Sequence, residues 1–150
     1  MPKTTVKWVK EKQFVGTDSE GHSIVLSGDD PATGVRPSDM LLVALGACSA
    51  YDVVDIMAKK RKPLSLLEVT INGEREADPP WPYHTIRVTY RAGGKGITEN
   101  ALAQAIKLSE EKYCSVAATV RGVARIITDF EIVSSSNVAV EAKSSPVFSE

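Results

Sequence analysis

The chain has 150 residues, 43% of them hydrophobic and 25% charged, which are the proportions of one folded domain with a single sizeable core and not of a disordered segment. Lys and Arg total 18 against 19 Asp and Glu, so the net charge of −1 leaves no excess basic field for a nucleic-acid backbone.

The N-terminus, Met1-Pro2-Lys3-Thr4-Thr5, carries no apolar segment of the secretory kind, and a cytoplasmic location is the expectation. Alternation over Thr5 to Lys10, Gln13 to Gly16 and His22 to Leu26, with Ser19-Glu20-Gly21 as turn chemistry, predicts three short antiparallel strands. Residues 29–34 are rich in breakers and read as a loop. Pro37-Ser38-Asp39 then opens a long helix, with Ser38 or a neighbour as cap and Asp39 set against the positive end of the dipole. From Met40 to Ala50 this helix is apolar all round, which predicts a central helix covered on every side. That run is shorter than the roughly 20 residues a helix needs to cross hydrocarbon, and Asp52 and Asp55 follow it, so no membrane span is expected. Lys59-Lys60-Arg61-Lys62 suits the negative end of the helix, or else a phosphate patch, and Pro63 stops the helix.

Period-two alternation marks Leu67 to Glu76 and His84 to Arg91 as paired strands. Between them Ala77-Asp78-Pro79-Pro80-Trp81-Pro82-Tyr83 reads as a stiff connection with Trp81 packed on the body, or as a proline-rich partner ligand. Thr98 can cap a helix stapled by Ile97 and Leu102, and Lys112 to Val120 resumes as a short helix with Cys114 near its start. A last strand spans Ala124 to Val133. The expected organisation is a single α+β domain over 1–133 and a polar tail over 134–150, where Val138 and Val140 hint at one more strand.

The chemistry available is sulfur chemistry. Cys48 and Cys114 are too far apart for a C-x-x-C pair, and with His22 and His84 at unhelpful spacing neither a zinc site nor any other metal or prosthetic group is expected. Cys48 lies halfway along the apolar helix among Gly46, Ala47, Ser49 and Ala50, small side chains that leave room beside a sulfur. On composition alone, each cysteine is either a reactive thiol or a small core hydrophobe.

Residues Arg36 to Val54, RPSDMLLVALGACSAYDVV, resemble the central-helix signature of the OsmC/Ohr family, the osmotically inducible and organic hydroperoxide resistance proteins. Leu108 to Val116, LSEEKYCSV, resembles the family's second cysteine motif, and the element order over residues 3–133 agrees. The resemblance implies an OsmC-like α+β fold, with antiparallel sheets wrapped around a long buried helix in an intertwined homodimer whose thiols lie near the subunit interface. Covering Met40 to Ala50 on all sides also calls for a partner subunit. It further implies a thiol peroxidase in which Cys48 attacks a hydroperoxide and becomes a sulfenic acid. Cys114 then forms a disulfide with it, and an external dithiol, of lipoyl type in some members, reduces that bond.

In the hydroperoxide resistance subgroup an arginine from the N-terminal strands, paired with a glutamate after the motif's proline, activates the thiol. This chain has no arginine in residues 1–35, and Ser38 follows Pro37. Arg36 and Asp39 are the nearest substitutes, as an activating pair or as a surface cation and a helix-start anion; His22 and Lys7 are further sources of positive charge. Asp52, one turn beyond Cys48, would oppose ionisation of the thiol if it faced the same way. The alternatives to an enzyme are a ligand-binding or redox-sensing dimer of the same fold and a structural dimer with inert cysteines.

Overall fold

The computed structural model describes residues 1–30 and 32–134, so the expected tail with Val138 and Val140 lies outside the described residues from 135 onward. Packing divides the chain into two compact units, one ending at Val43 and one starting at Ala44.

In the first unit, strands β1 (Thr5–Lys10), β2 (Gln13–Thr17) and β3 (Ser23–Ser27) form an antiparallel sheet in the order β1-β2-β3, as the alternation predicts. β1, an edge strand, is exposed along its whole length, Val6, Trp8 and Val9 included. Ser27 organises the loop that follows. Its buried hydroxyl accepts the N–H groups of Thr33 at 3.1 Å and Gly34 at 2.9 Å, which turns the chain so that Val35 bridges to Leu26. That bridge sets the chain at the entrance to helix α1 (Pro37–Lys59), with Pro37 at the first helical position, where a missing N–H costs nothing.

The second unit holds the rest of α1 and a three-stranded sheet, β4 (Leu66–Arg75), β5 (Tyr83–Gly93) and β6 (Arg125–Ile132), with β5 in the middle. β4 pairs antiparallel with β5, but β6 joins parallel to it, so this sheet is mixed. The connection from β5 to β6 runs through α2 (Glu99–Leu108), a π-helical turn (Ser109–Tyr113) and α3 (Ser115–Val120). A crossover of that length returns the chain to the same end of the sheet, which a tight turn cannot do. Ile86, Val88, Tyr90 and Ala92, two residues apart on β5, are buried and meet Leu102, Ala105 and Ile106 of α2, Ala117 and Val120 of α3, and Leu45, Val53 and Met57 of α1 in the core. Thr98 caps α2 as expected, its side chain accepting from the Ala101 N–H at 3.3 Å.

Helix α1 differs from the expectation of cover on every side. Leu45, Gly46, Ser49, Val53 and Met57 form a single buried stripe, while Leu41, Val43, Tyr51 and Val54 are exposed. At 23 residues it is also long and apolar enough to match a membrane span, so the argument from a short apolar run does not hold. What marks it as a core helix is the packed stripe, together with Asp52 and Asp55 in its second half. Gly46 brings α1 close to β4, because a Cβ there would collide with the Ile71 side chain. Trp81 is likewise exposed and does not pack on the body: the Asp78–Trp81 turn, closed by a 3.0 Å bond between the Trp81 N–H and the Asp78 carbonyl, leaves the indole at its tip.

The basic run is a helix terminus. Only Lys59 lies within α1; the Lys62 N–H bonds to the Met57 carbonyl and the Arg61 N–H to the Ala58 carbonyl, the paired bonds of a Schellman motif. Arg61 sits at its left-handed position with φ of 57°, where a side chain is strained and glycine is not. Replacing Arg61 with Gly is therefore expected to raise stability by about 1 kcal/mol, read as a higher denaturation midpoint with an unchanged slope in a urea titration; a lower midpoint would show that Arg61 makes a compensating contact.

Candidate active site

The site is assembled from α1 and the segment that joins α2 to α3. Cys48 lies on α1 beside the buried stripe and is half-buried, whereas Cys114 is 2% exposed. The π-helical turn presents Cys114: its N–H bonds to the Ser109 carbonyl at 2.8 Å, five residues back, before α3 begins. Cys114 is thus the cap of α3, which starts at Ser115 and not at Lys112, and its Sγ accepts the Ala117 N–H at 3.3 Å.

The structure brings the two cysteines together. Both are free thiols, 66 residues apart in sequence, and they lie near enough for Cys48 to act on the protonation of Cys114. Burial pushes the Cys114 thiol up to about 11, and the neighbouring Cys48 acts in the same direction, while the Ala117 N–H opposes both. Cys114 therefore keeps its proton at neutral pH.

A polar cluster that sequence reasoning did not single out holds these segments. The Ser49 hydroxyl, next to Cys48 in the chain, bonds to the Tyr90 hydroxyl from β5 and to the Ser109 hydroxyl at 3.1 Å. Ser109 in turn donates to Asp52 Oδ2 at 3.0 Å. Asp52 is half-buried, and Ser49, Tyr90 and Ser109 are buried. Burial pushes the Tyr90 phenol up to about 12, although its bond with Ser49 acts against it. On the other flank of the turn, Glu110 accepts from the Thr128 hydroxyl on β6 and lies 4.0 Å from Arg121. The one available signal was polarity in an apolar pattern: Ser49 on the buried helical stripe and Tyr90 on the inward face of β5.

Arg36 and Asp39 belong to the first unit. Arg36 is exposed and pairs with Asp29 at 2.7 Å, and Asp39 accepts a long 3.4 Å bond from the Ser38 hydroxyl. His22 pairs with Asp18 at 3.1 Å, and its backbone holds the Asp18 carboxyl below the usual carboxylate range; Lys7 is exposed on β1. Among the described residues no group of three or more His, Cys, Asp or Glu could hold a metal ion. Open cavities adjoin the part of α1 that lies in the second unit. One, of about 570 Å³, is apolar and lined by Ala47, Ala50, Tyr51, Val54 and Leu67; another, of about 420 Å³, is lined by Asp52, Ile56, Lys59, Leu108 and Tyr113.

The family model described as OsmC-like protein matches residues 28–129, which include both cysteines. The chain is 36% identical to Protein YhfA of Escherichia coli strain K12 over 128 residues, covering 85% of this chain and 96% of that one. A hypothetical protein from Aquifex aeolicus VF5 has a crystal structure similar to it, with a TM-score of 0.81 and 34% identity over 89% of this chain and 97% of that chain. OhrB of Bacillus subtilis, an organic hydroperoxide resistance protein, shares the fold with a TM-score of 0.60 at 14% identity, over 87% of this chain and 98% of that chain. With the element order, both cysteine segments and the α+β architecture in agreement, the chain belongs to the OsmC-like family.

Proposed function

We propose that the protein is a cysteine-based peroxidase that reduces organic hydroperoxides and, by the same chemistry, hydrogen peroxide. The observation that supports this is the proximity of a half-buried thiol, Cys48, to a buried one, Cys114, whose burial favours the protonated form. The Cys48 thiolate attacks the distal peroxide oxygen; the O–O bond breaks, alcohol or water leaves, and sulfur keeps the distal oxygen as a sulfenic acid. The Cys114 sulfur then attacks the sulfenic sulfur, and its proton departs with the hydroxyl as water while the S–S bond forms. Two electrons have then passed from two thiols to one peroxide. An external dithiol of lipoyl type restores the thiols by two exchange steps, and no step needs a bound metal or prosthetic group. Because Cys114 holds its proton, it does not compete with Cys48 for peroxide.

The exposed apolar side of α1, with Leu41, Val43, Tyr51 and Val54, supports a homodimer as the working unit, a second copy covering what the single chain leaves open. The proposed setting is the cytoplasm, where both thiols are kept reduced. Arg36 and Asp39 are the proposed source of thiol activation. The pairing of Arg36 with Asp29 favours a second reading, a redox-sensing or ligand-binding dimer that runs the same oxidation slowly.

One equivalent of organic hydroperoxide is expected to yield a Cys48 to Cys114 disulfide by non-reducing peptide mapping, and iodoacetamide at pH 8 to label Cys48 of the reduced protein while sparing Cys114. Recovery of Cys48 as sulfinic acid beside an intact Cys114 thiol would remove the resolving role. Sedimentation at micromolar concentration is expected to find dimer and no folded monomer; a folded monomer contradicts the proposed assembly. Arg36→Met is expected to slow peroxide-driven thiol loss about tenfold, roughly 1.4 kcal/mol in the barrier, with the fold intact; an unchanged rate takes Arg36 out of the site and favours the sensing reading.

A further inference from the structure

The hydroxyl cluster has a direction. The Ser109 hydroxyl donates to Asp52 Oδ2, at 3.0 Å. With that proton committed, the Ser109 oxygen accepts from the Ser49 hydroxyl at 3.1 Å, and Ser49 then accepts from Tyr90, whose phenol is held protonated. All three protons are used, and the chain Tyr90 to Ser49 to Ser109 ends on the Asp52 side chain. The alternative for Ser109, donation to the Ser49 carbonyl, is longer at 3.4 Å and would leave Asp52 without this donor. Ser49 and Asp52 follow Cys48 on α1, one and four residues on, and the Ser109 carbonyl receives the N–H of Cys114 at 2.8 Å. The same residue is thus bonded through its side chain to the helix of one thiol and through its backbone to the other thiol's own amide.

We propose that Ser109, oriented by Asp52, is a positioning residue that sets the apposition of the two cysteines and so the ease with which they form their disulfide. The inference rests on the reading that these thiols react with each other, but not on peroxide being the oxidant.

The test is the equilibrium of the reduced protein with oxidised dithiothreitol. Two protein S–H bonds and the S–S bond of the reagent are exchanged for one protein S–S bond and two reagent thiols, so two electrons and two protons move to the reagent. The equilibrium constant reports the effective concentration of one thiol at the other, a quantity that a hydroxyl serving only to stabilise the fold would leave unchanged. Ser109→Ala and Asp52→Ala are each expected to lower it about tenfold or more, with native circular dichroism retained at the assay temperature. Asp52→Asn, which keeps an acceptor oxygen for Ser109, is expected to stay within about twofold of the parent. Should Ser109→Ala fail to fold, the two Asp52 variants carry the comparison. Constants in the alanine variants equal to that of the parent, whether or not stability falls, would overturn the proposal, as would a parent that forms no disulfide. A parent that equilibrates with dithiothreitol but consumes no hydroperoxide would instead overturn the peroxidase reading and leave this one standing.

Discussion

The close approach of α1 to the sheet beneath it is the constraint on which the rest of the second unit depends. Gly46 permits it, since any side chain there would occupy the space of Ile71 on β4. One turn along the same stripe, Ser49 is then near enough to β5 and to the π-helical turn for its hydroxyl to meet those of Tyr90 and Ser109. Three hydroxyls in an otherwise apolar layer would be costly if any were left without a partner, roughly 1–3 kcal/mol for each. Here each has one, and the last bond falls on the half-buried carboxylate of Asp52. The small residues around Cys48 thus serve two ends: they let the backbone come close, and they make the close contact polar at chosen points.

The difference between the two thiols follows from their positions in that arrangement. Cys114 sits at the junction of the π-helical turn and α3, sealed by the core, and burial favours its neutral form. Cys48 lies on the same helix as the buried stripe but to one side of it, and stays partly open. One fold therefore gives two identical side chains different access to solvent.

Much of this was legible in the sequence. Alternation located β1 to β6 to within a residue or two, the Thr98 cap was visible from its position before an amphipathic run, and both cysteine segments resembled one family in the right order. The parallel seat of β6 was not legible, since alternation fixes which face a residue takes and not which way its neighbour runs. The π-helical turn was missed because a single extra residue per turn leaves no compositional mark, so the start of α3 was placed at Lys112 and not at Ser115. Burial around α1 was overestimated because an all-apolar helix states that cover is needed without stating which chain supplies it. Ser49, Ser109 and Tyr90 were overlooked for a related reason: serine and tyrosine are common enough that only their joint burial sets them apart.

The parallel seat of β6 also fixes when the site comes into being. β4 and β5 are neighbours in sequence and can pair as soon as both have been made, but β6 registers against β5 with partners about 40 residues apart, Thr85 with Arg125 among them. The Cys114 segment lies inside that crossover and is held in place from its far side by Thr128 of β6, through Glu110. On a growing chain, α1 and its thiol precede all of this. The placement of the Cys114 segment therefore draws on a residue of the last strand to be made, and the thiol pair is tied to the most distant part of the chain that the sheet recruits.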